Sequence, residues 1–596
     1  MDKKHKKKEK LPIRNERDWI GYLLLGVLVV GAFLLRTLPS WNKVFVDGMV
    51  WFRGVDPWYH MRLADNMMAN FPMPLKWDYF VVYPGGGPVG YYPLMSWLIT
   101  IPGQFLNHEV VGALLPPTLG ALTLIPVFYI GRVLFNKWVG LFSCLLIAIL
   151  PTEFFHRSLL GFTDHHILEV FFSTLTILFL ILSHKRNNQR YPILAGVSLG
   201  LYLSSWSGGL LLVLPIWIWF ILVFIYNLIR EEPQDLLCRN MTITFLISLL
   251  ISLPNTFLVI GATPFIFLLL LVTLTPYSLF FLSRYFRDWA RFVVVTEGAI
   301  ILFILFCALY YPSIFQTIKS TLPDFGTTIE EAAPSYPNVL FSCYGLSFLL
   351  SLGGLFFAIR RKQSLLLIIW SSFMLLLVLG QRRWGYYFAI PNAIMASYLV
   401  YLIGRWVGKN TRVAATIVTC LFVIIPSIRG TIGISILPNN ITSDWYQACI
   451  WLRENAPEPG RYYELKPEKG VSYGVLSWWD YGNWICRIGH KVPLSNPMQQ
   501  DPPIQGRFFI AQSEEEANKA LGGLDVRYII VDEAMVTGKF YAIVGKSPHR
   551  EPLEELRSNS FIMKLWEEEA ETWRKVYQVG GVKVYESRGN SRHRYL

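Results

Sequence analysis

Long apolar stretches alternate with short polar loops from about residue 18 to residue 431. Most of these stretches are about 17 to 22 residues long, which is enough for a helix to cross a hydrocarbon core of roughly 30 Å. The pattern therefore predicts thirteen membrane-spanning helices. They are expected near 18–36, 110–131, 138–152, 166–183, 192–206, 209–229, 241–260, 263–283, 292–311, 338–358, 364–380, 385–403 and 413–431.

The N-terminal segment 1–17 is rich in lysine and leads directly into the first apolar stretch. Because no small-residue cleavage site follows that stretch, we expect a retained first span and not a removed signal peptide. Segment 1–17 is then a basic tail on the cytoplasmic side. This assignment fixes the direction of every later span.

Basic residues are distributed unevenly over the loops that this orientation defines. The short inner loops carry Arg132, Lys137, Lys185, Arg186, Arg190, Arg230, Arg239, Arg284, Arg287, Arg291, Arg360, Arg361, Lys362, Arg405, Lys409 and Arg412. The short outer loops carry only Arg157, Lys319, Arg382 and Arg383. The positive-inside rule is satisfied. Because the number of spans is odd, we expect a multi-pass protein of the plasma membrane whose segment 432–596 lies outside the cytoplasm.

Three outer segments of the predicted membrane domain 18–431 are candidates for function: 37–109, 153–165 and 312–337. The first contains an apolar aromatic stretch, Tyr91 to Phe105, which we expect to lie along the membrane interface. The three segments hold nearly every acid and histidine that a catalytic site would need. Ionisable residues held at a membrane surface among apolar spans are functional candidates.

The polar C-terminal segment 432–596 has the pattern of a mixed α/β domain. Ser443 to Glu454 has helical character, Tyr528 to Val531 is a strand candidate, and Val576 to Tyr585 reads as a hairpin around Gly580-Gly581. The predicted fold class is therefore an α-helical polytopic membrane domain of about thirteen spans, followed by a mixed α/β extracytoplasmic domain.

Composition and charge support a membrane protein and argue against a nucleic-acid partner. The chain is 53% hydrophobic and 16% charged, whereas a soluble domain carries about 25% charged residues. The formal net charge of +13 comes from short loops between spans, so we expect membrane lipid, and no nucleic acid, beside these residues. Cys449 and Cys486 are the only cysteines of the polar segment and could pair if it is extracytoplasmic.

The run Trp478-Trp479-Asp480-Tyr481-Gly482 is the most informative motif of the chain. Two adjacent indoles bring a large apolar area that must pack or bind, and the carboxylate needs a partner. A buried aromatic turn capped by an acid would explain one tryptophan and the aspartate. It would not explain why the other candidate motifs fall on the same side of the membrane.

Two motifs of the outer loops suggest a metal site. Asp56 follows a Gly-Val pair and precedes a proline, where a plain turn is the alternative. Asp164-His165-His166 closes the second outer loop, where a helix N-cap is the alternative. Aspartate and histidine side chains that converge from two loops suit Mn²⁺ or Mg²⁺.

Two further motifs carry charge on the outer side. Glu330-Glu331 ends the run Thr-Ile-Glu-Glu and is otherwise a solvated acidic pair. Arg382-Arg383 breaks the inside bias of the basic residues. Arginine forks suit phosphate oxygens, and a lipid-headgroup contact is the alternative.

Taken together, these motifs resemble the catalytic subunit of N-oligosaccharyltransferase, in its single-subunit archaeal and bacterial type, with the archaeal short form most similar. Members share thirteen spans in a GT-C-like fold and an extracytoplasmic C-terminal domain. The resemblance covers essentially the whole chain, and Trp478 to Gly482 is identical to the family signature. It implies a catalyst that works as a single subunit.

The resemblance implies a metal and catalytic role for four residues. Asp56, Asp164 and His166 would hold Mn²⁺ or Mg²⁺, and Asp56 and Glu331 would engage the acceptor amide as catalytic acids. The sequence has Gly54 where the first Asp-X-Asp motif of the family often has an acid. The histidine at the end of the second motif is similar to archaeal members.

The resemblance also implies two substrate sites. The residues that would bind the acceptor sequon Asn-X-Ser/Thr are Trp478, Trp479, Asp480, Glu331 and Ile543, where Ile543 belongs to a supporting motif with Asp532, Met535 and Lys539. Arg383 or Arg382, together with His165, would hold the phosphate of a lipid-linked oligosaccharide donor. The partners are then this donor lipid and an acceptor polypeptide.

The implied function is transfer of an oligosaccharide from a polyprenyl or dolichyl (di)phosphate carrier to the asparagine amide of a sequon. Another lipid-linked glycosyltransferase, similar to protein O-mannosyltransferases, would explain the acids but not the Trp-Trp-Asp motif. A membrane transporter with an outer binding domain would need ionisable residues near the bilayer midplane, whereas the acids of this chain cluster at one surface.

Overall fold

The computed structural model describes residues 19–206, 208–258, 263–286, 333–407, 411–466, 470–497, 502–545 and 553–589, with the single positions 291, 294, 298, 305 and 309. Most of the first 435 residues are helical. The apolar helices of this part are Trp19–Thr37, His108–Leu122, Leu124–Leu134, Lys137–Ile149, His166–Lys185, Arg190–Leu203, Leu210–Ile229, Asp235–Leu258, Thr263–Tyr285, Pro337–Tyr344, Leu346–Arg360, Leu365–Gly380, Gly385–Trp406 and Arg412–Ser435.

Eight helices of the described residues are long and apolar enough to cross a membrane. A ninth results if Pro337–Tyr344 and Leu346–Arg360, which are bent by 95° relative to each other, form one span. Helices occupy every predicted span except 292–311, which lies outside the described ranges apart from a few single positions. The polytopic α-helical fold predicted from the apolar pattern is confirmed.

Close helix packing in the membrane part depends on small residues at the contacts. A Cβ atom at Gly196 would lie 2.7 Å from the carbonyl oxygen of Thr244, and one at Gly200 would lie 2.7 Å from the Cβ atom of Ile251. The two glycines are one helical turn apart on Arg190–Leu203, so they let this helix approach Asp235–Leu258 along a continuous seam.

The first outer segment folds into short elements over the end of the membrane helices. Its helices are Trp41–Val44, Asp56–Ala69 and Leu94–Gly103, and its strands are β1 (Phe45–Val46), β2 (Met49–Val50), β3 (Trp77–Asp78) and β4 (Gly87–Pro88), which pair as β1–β2 and β3–β4. Leu94–Gly103 has ten residues, about 15 Å of helix. A helix of this length is too short to cross a bilayer, which is compatible with the interfacial position predicted for Tyr91 to Phe105.

The C-terminal part contains a four-stranded sheet surrounded by short helices. The strands are β5 (Gly474–Leu476), β6 (Val526–Asp532), β7 (Trp573–Val579) and β8 (Val582–Ser587), in the order β5-β6-β8-β7. Only the β5–β6 pair is parallel. The helices are Ser443–Asn455, Gly482–Arg487, Pro502–Ile510, Glu514–Ala520, Glu533–Val536, Phe540–Val544, Leu553–Asn559 and Phe561–Trp566. The mixed α/β fold of this part is confirmed.

The predicted β-hairpin is present, and its turn consists of Gly580 and Gly581 between the paired residues Val579 and Val582. Gly580 has a φ of 48°, and a Cβ atom there would lie 2.0 Å from Asp444 Oδ2. Asp444 accepts a hydrogen bond from the Gly581 amide at 3.2 Å. Glycine is therefore required because the turn docks directly against the helix Ser443–Asn455.

The two cysteines of the polar segment are not bonded to each other. Cys449 and Cys486 are both buried free thiols, and Cys486 packs with Phe80 and Tyr462. The pairing that an oxidising compartment would permit is not formed in this structure.

Candidate functional site

A group of five side chains lies where the second outer loop enters a membrane helix, and we refer to it as the acid–histidine cluster. Its members are His60, Asp164, His165, His166 and Glu169. His60 comes from the helix Asp56–Ala69, and the other four lie before or within the first turn of His166–Lys185. Four members are almost fully buried, and the His166 side chain is 18% exposed.

Asp164 lies at the centre of the cluster and faces three imidazoles. Its Oδ1 atom is 2.5 Å from Nδ1 of His165 and 3.1 Å from Nε2 of His60, while its Oδ2 atom is 3.5 Å from Nε2 of His166. The residue at the N-cap position is His165, which makes no side-chain capping bond. Asp164 is therefore not a plain helix cap, because its carboxylate is directed at the histidines.

The charges of the cluster shift the pKa values of its members. Burial raises the pKa of Asp164, but the neighbouring His166 and His165 imidazoles outweigh it and hold this pKa well below its usual range. Burial lowers the pKa of His165, but the carboxylates of Asp164, Glu169 and Asp56 raise it above the ordinary value. For His60 burial prevails, and its pKa is lowered despite the bond to Asp164.

Sequence reasoning missed two members of the cluster, His60 and Glu169. His60 lies one helical turn after Asp56, and Glu169 lies three residues after His166. Residues with this spacing share a helix face. The spacing was therefore a usable signal, although histidines and glutamates on one helix face are common without any function.

The donor set fits a divalent cation. Two overlapping groups of three side chains offer ligand atoms close to one another: His60, Asp164 and His165, and His165, His166 and Glu169. The predicted ligands Asp164 and His166 belong to different groups, although Oδ2 of Asp164 lies 3.5 Å from Nε2 of His166. Adjacent ligands at about 2.1 Å from one cation lie about 3.0 Å apart in an octahedral site and about 3.4 Å apart in a tetrahedral one. The imidazole and carboxylate donors therefore have both the chemistry and the spacing of a metal site.

Asp56, the third predicted metal ligand, starts the helix Asp56–Ala69 and is half-buried. Its charge acts on His165, but it belongs to neither of the ligand groups found among the described residues. The preceding Gly54 has a φ of 90°, a conformation that side chains with a Cβ rarely adopt. The absence of an acid at this position thus has a backbone reason.

The predicted acceptor motif forms a tight turn, Trp479–Tyr481, followed by the helix Gly482–Arg487. Trp478 is buried and Trp479 is partly buried, with ring centroids 6.0 Å apart. A Cβ atom at Gly482 would lie 2.3 Å from the carbonyl oxygen of Ser495, so only glycine permits this packing. The Asp480 side chain is 26% exposed, and its Oδ2 atom accepts a bond of 2.8 Å from Lys539 Nζ.

The supporting motif holds this turn from behind. Asp532, at the end of β6, accepts hydrogen bonds from the Tyr481 hydroxyl and the Trp445 indole, each at 2.7 Å. Its other oxygen accepts from the Met535 amide at 2.9 Å. Ile543 is fully buried in the short helix Phe540–Val544. The structure therefore brings Lys539 to Asp480 and places Ile543 in the core of this region.

Two asparagine side chains join the acceptor motif to the segment around Asp56. The Asn483 amide donates to the carbonyl oxygen of Val55 at 3.2 Å, and the Asn440 carbonyl accepts from the amide of Gly54 at 3.2 Å. The C-terminal part is thus bonded directly to the two residues before Asp56.

A partly buried ionic group, the interdomain ion cluster, strengthens the same junction. It consists of Asp65, His108, Glu109 and Arg487. Arg487 bonds Asp65 at 2.9 and 3.3 Å and Glu109 at 2.5 Å, and His108 bonds Asp65 at 2.8 Å. Burial raises the pKa of Asp65, but Arg487 and His108 outweigh it and lower this pKa to about 2.

The arginine pair predicted to bind phosphate occupies the turn Arg382–Trp384. Arg382 bonds Glu153 with Nε at 3.2 Å, and the Arg383 guanidinium lies 5.1 Å from the ring centre of Trp384. His165, predicted to contact the same phosphate, instead pairs with Asp164 here. The predicted residues Glu330 and Glu331 lie outside the described residues.

Comparisons with known proteins connect this geometry to a family. The family model described as "Oligosaccharyl transferase STT3, N-terminal" matches residues 27–341, and the model "AglB core domain" matches residues 442–536. The "Dolichyl-phosphooligosaccharide-protein glycotransferase 3" of Archaeoglobus fulgidus is 28% identical over 91% of this chain and 73% of its own length.

Two solved structures are similar over most of the chain. The oligosaccharyltransferase AglB of Archaeoglobus fulgidus, in complex with an inhibitory peptide and a dolichol-phosphate, superposes with a TM-score of 0.84 at 25% identity over 94% of this chain and 80% of that one. An oligosaccharyltransferase of the same organism in complex with Zn and sulfate gives 0.79 at 25% identity over 94% and 79%. Both the membrane fold and its joined C-terminal domain are covered, and the chain belongs to the oligosaccharyl transferase STT3 family.

Proposed function

We propose that the chain transfers an oligosaccharide from a polyprenyl or dolichyl (di)phosphate carrier to the asparagine amide of Asn-X-Ser/Thr sequons. Its archaeal relatives carry the name of this activity, and an AglB structure holds both an inhibitory peptide and a dolichol-phosphate. The observation that carries the proposal is the junction of the Trp-Trp-Asp turn with the segment before Asp56. An acceptor site and the acid–histidine cluster meet there.

The acceptor amide is a weak nucleophile because the nitrogen lone pair is delocalised into the carbonyl group. Carboxylates that hold the carboxamide through its N–H groups can orient it for attack. We assign this role to Asp56 and Glu331, as the family resemblance implies. Asp56 is suited to it because Asn483, in the helix that follows the acceptor turn, bonds the carbonyl group of the preceding residue, Val55.

A divalent metal fits the donors of the acid–histidine cluster, and we assign Asp56, Asp164 and His166 as its ligands, as the family resemblance implies. When bound, Mn²⁺ or Mg²⁺ would neutralise charge on the departing phosphate. The donor set alone does not select the metal, and a related enzyme has been crystallised with Zn.

The donor phosphate is expected beside the arginine turn. We assign the contact to Arg383 or Arg382, as the family resemblance implies. His165 is assigned to the same phosphate, as the family resemblance implies. No additional subunit is required by this arrangement.

Asp480→Ala should weaken acceptor-peptide binding by about 1.5–3 kcal/mol, the usual worth of a hydrogen bond to a charged group. Lys539 holds one carboxylate oxygen, which orients the other towards the acceptor hydroxyl. The binding free energy of an Asn-X-Thr peptide should be more favourable than that of an Asn-X-Ser peptide by at most about 0.8 kcal/mol, because the indoles offer apolar surface to one extra methyl group. Peptide affinity measured for Asn-X-Thr, Asn-X-Ser and Asn-X-Val checks both statements.

Glu515→Ala is the control for this experiment, because Glu515 is an exposed acid on a helix of the same domain. It should leave all three affinities unchanged. Equal binding of the valine and threonine peptides by the native protein would contradict a hydroxyl-reading role for Asp480. Glycan transfer to the threonine peptide from a lipid-linked donor tests the reaction itself.

We also propose the orientation in the membrane. Segment 1–17 is placed in the cytoplasm, 18–431 in the membrane, and 432–596 outside, at the plasma membrane, with the site on the extracytoplasmic face. The chain is a membrane protein, and the distribution of basic residues over the loops favours this direction.

The two sequons of the chain test this orientation. Asn440-Ile441-Thr442 lies just beyond the last span with Asn440 exposed, whereas Asn240-Met241-Thr242 lies in the helix Asp235–Leu258 with Asn240 only 7% exposed. We expect a glycan at Asn440 and none at Asn240 in protein from the native host. Mass spectrometry of glycopeptides measures both, and a glycan at Asn240 would overturn the topology.

A further inference from the structure

Glu169 is a buried carboxylate to which the reaction described above gives no role. It lies in the first turn of His166–Lys185 and is fully buried. An unpaired carboxylate in such a place would be strongly unfavourable. Its hydrogen-bond partners therefore show what the residue does.

Both oxygens of Glu169 are used. The hydroxyl groups of Tyr386 and Tyr387 donate to Oε2 at 3.0 and 2.5 Å. Nδ1 of His166 lies 2.9 Å from Oε1, and Nε2 of His165 lies 3.4 Å from the same atom. The two tyrosines come from the helix Gly385–Trp406, so the carboxylate is held from a second membrane helix.

These contacts distinguish the two histidines. Each ring has one nitrogen close to a carboxylate: Nδ1 of His165 lies 2.5 Å from Asp164 Oδ1, whereas Nδ1 of His166 lies 2.9 Å from Glu169 Oε1. The Nε2 atoms lie farther from the other carboxylate, at 3.4 Å for His165 and 3.5 Å for His166. Because a carboxylate accepts hydrogen bonds, the close contact with Glu169 assigns the proton of a neutral His166 ring to Nδ1 and leaves the lone pair on Nε2.

We propose that Glu169 is the positioning residue of the metal site, which fixes the tautomer and the ring orientation of His166 so that Nε2 faces the cation position next to Asp164. A carboxylate behind a ligating imidazole also raises the basicity of that ligand. Tyr386 and Tyr387 in turn fix Glu169. This proposal rests on the proposed metal-dependent function, because it concerns the same metal site.

The test is Mn²⁺ binding to the purified full chain in detergent, measured by the electron paramagnetic resonance of free Mn²⁺ without donor or peptide. Glu169→Ala should weaken the affinity by about 10- to 100-fold, the usual effect of losing such a partner. Glu169→Gln keeps an oxygen that can accept a hydrogen bond from Nδ1 of His166, so it should weaken the Mn²⁺ affinity less, by about 3- to 10-fold. His166→Ala, which removes the ligand itself, should lose more than either.

Tyr202→Phe is the matched control. Tyr202 is a buried tyrosine whose hydroxyl bonds that of Tyr387 at 2.8 Å, so its loss perturbs the neighbourhood without removing a partner of Glu169. It should bind Mn²⁺ like the native protein. Tyr387→Phe, which removes a donor to Glu169, should weaken binding. The thermal unfolding midpoint of each variant, compared with that of the native protein, shows whether the variant is folded.

The outcomes separate this proposal from the proposed function. Native Mn²⁺ affinity in Glu169→Gln and Glu169→Ala, together with loss in His166→Ala, would overturn the positioning role and leave the metal site standing. If Glu169→Ala does not fold, native affinity in Glu169→Gln and Tyr387→Phe would overturn it equally. Binding of no divalent metal by the native chain would overturn both, whereas glycan transfer without sequon selectivity would overturn the proposed function alone.

Discussion

Replacing Asp164 with alanine should abolish measurable glycan transfer, with a loss of at least about 10³-fold. Asp164 faces His60, His165 and His166 together, so its removal takes away the partner of His60 and leaves Glu169 as the remaining carboxylate beside His165 and His166. A metal at a departing phosphate contributes several kcal/mol to catalysis, and about 4 kcal/mol corresponds to 10³-fold. Initial rates of transfer from a lipid-linked donor to an Asn-X-Thr peptide measure the effect.

Asp235→Ala is the control for this substitution. Asp235 also begins a membrane helix, but its side chain is 66% exposed and pairs with the equally exposed Arg284. It should retain the native rate. Removing divalent ions by a chelator should reproduce the Asp164→Ala defect in the native protein, and adding back Mn²⁺ or Mg²⁺ should reverse it. Native turnover in the chelated enzyme would contradict a metal role for the cluster.

Arg487→Ala should destabilise the junction between the C-terminal part and the outer segment by about 2–4 kcal/mol, because it removes the buried guanidinium from the partly buried Glu109 and leaves Asp65 with His108 as its remaining partner. The guanidinium also lies 5.2 Å from the ring centre of Phe52 and 5.5 Å from that of Trp58, and these contacts would be lost as well. Urea unfolding followed by tryptophan fluorescence measures the change in the free energy of unfolding.

Arg574→Ala provides the comparison, because Arg574 is 59% exposed and pairs with Glu586 on the sheet surface. Such surface pairs contribute at most about 1 kcal/mol. If Arg487→Ala and Arg574→Ala lower the free energy of unfolding by similar small amounts, the interdomain ion cluster does not stabilise the junction. A double variant with Asp65→Asn should lose less than the sum of the two single changes, since the partners act together.

The interdomain ion cluster also predicts how stability depends on pH. The pKa of Asp65 is lowered to about 2 in the folded chain from an ordinary 3.8. The stabilisation from its charge is therefore fully present above about pH 4 and is lost as the pH falls towards 2. In Arg487→Ala this acid-side loss should be much smaller, which unfolding midpoints between pH 5 and 2.5 would reveal.

The apolar pattern was sufficient to predict the membrane fold. A segment that spans a bilayer must satisfy its backbone hydrogen bonds internally, and an apolar segment of this length does so as a helix. The hairpin at Gly580-Gly581 and the strand through Ile530 were also predicted, since short-range turn and strand signals were strong there. By contrast, the bend between Pro337–Tyr344 and Leu346–Arg360 was not visible, because both halves are apolar and the break occurs at a single glycine.

The site was predicted in parts. Asp164, His165 and His166 are adjacent in sequence, so their proximity followed from the motif. The Asn483 contact brings the helix after the Trp-Trp-Asp turn to Val55, the residue before Asp56. Glu169 and Lys539 have roles that depend on partners far along the chain: Tyr386 and Tyr387 for the first, Asp480 for the second. Contacts of that kind are set by tertiary packing and leave no local pattern.

The two halves of the site are anchored in different surroundings. Glu169 fastens His166 to membrane helices, whereas Asp480 lies on the polar C-terminal part. For a donor that arrives by lateral diffusion, the concentration that determines binding is its surface density in the membrane. For an acceptor that arrives from water, it is the bulk concentration in solution. In proteoliposomes, diluting the donor with inert lipid should therefore slow the reaction, whereas diluting the whole suspension should affect only saturation by the peptide.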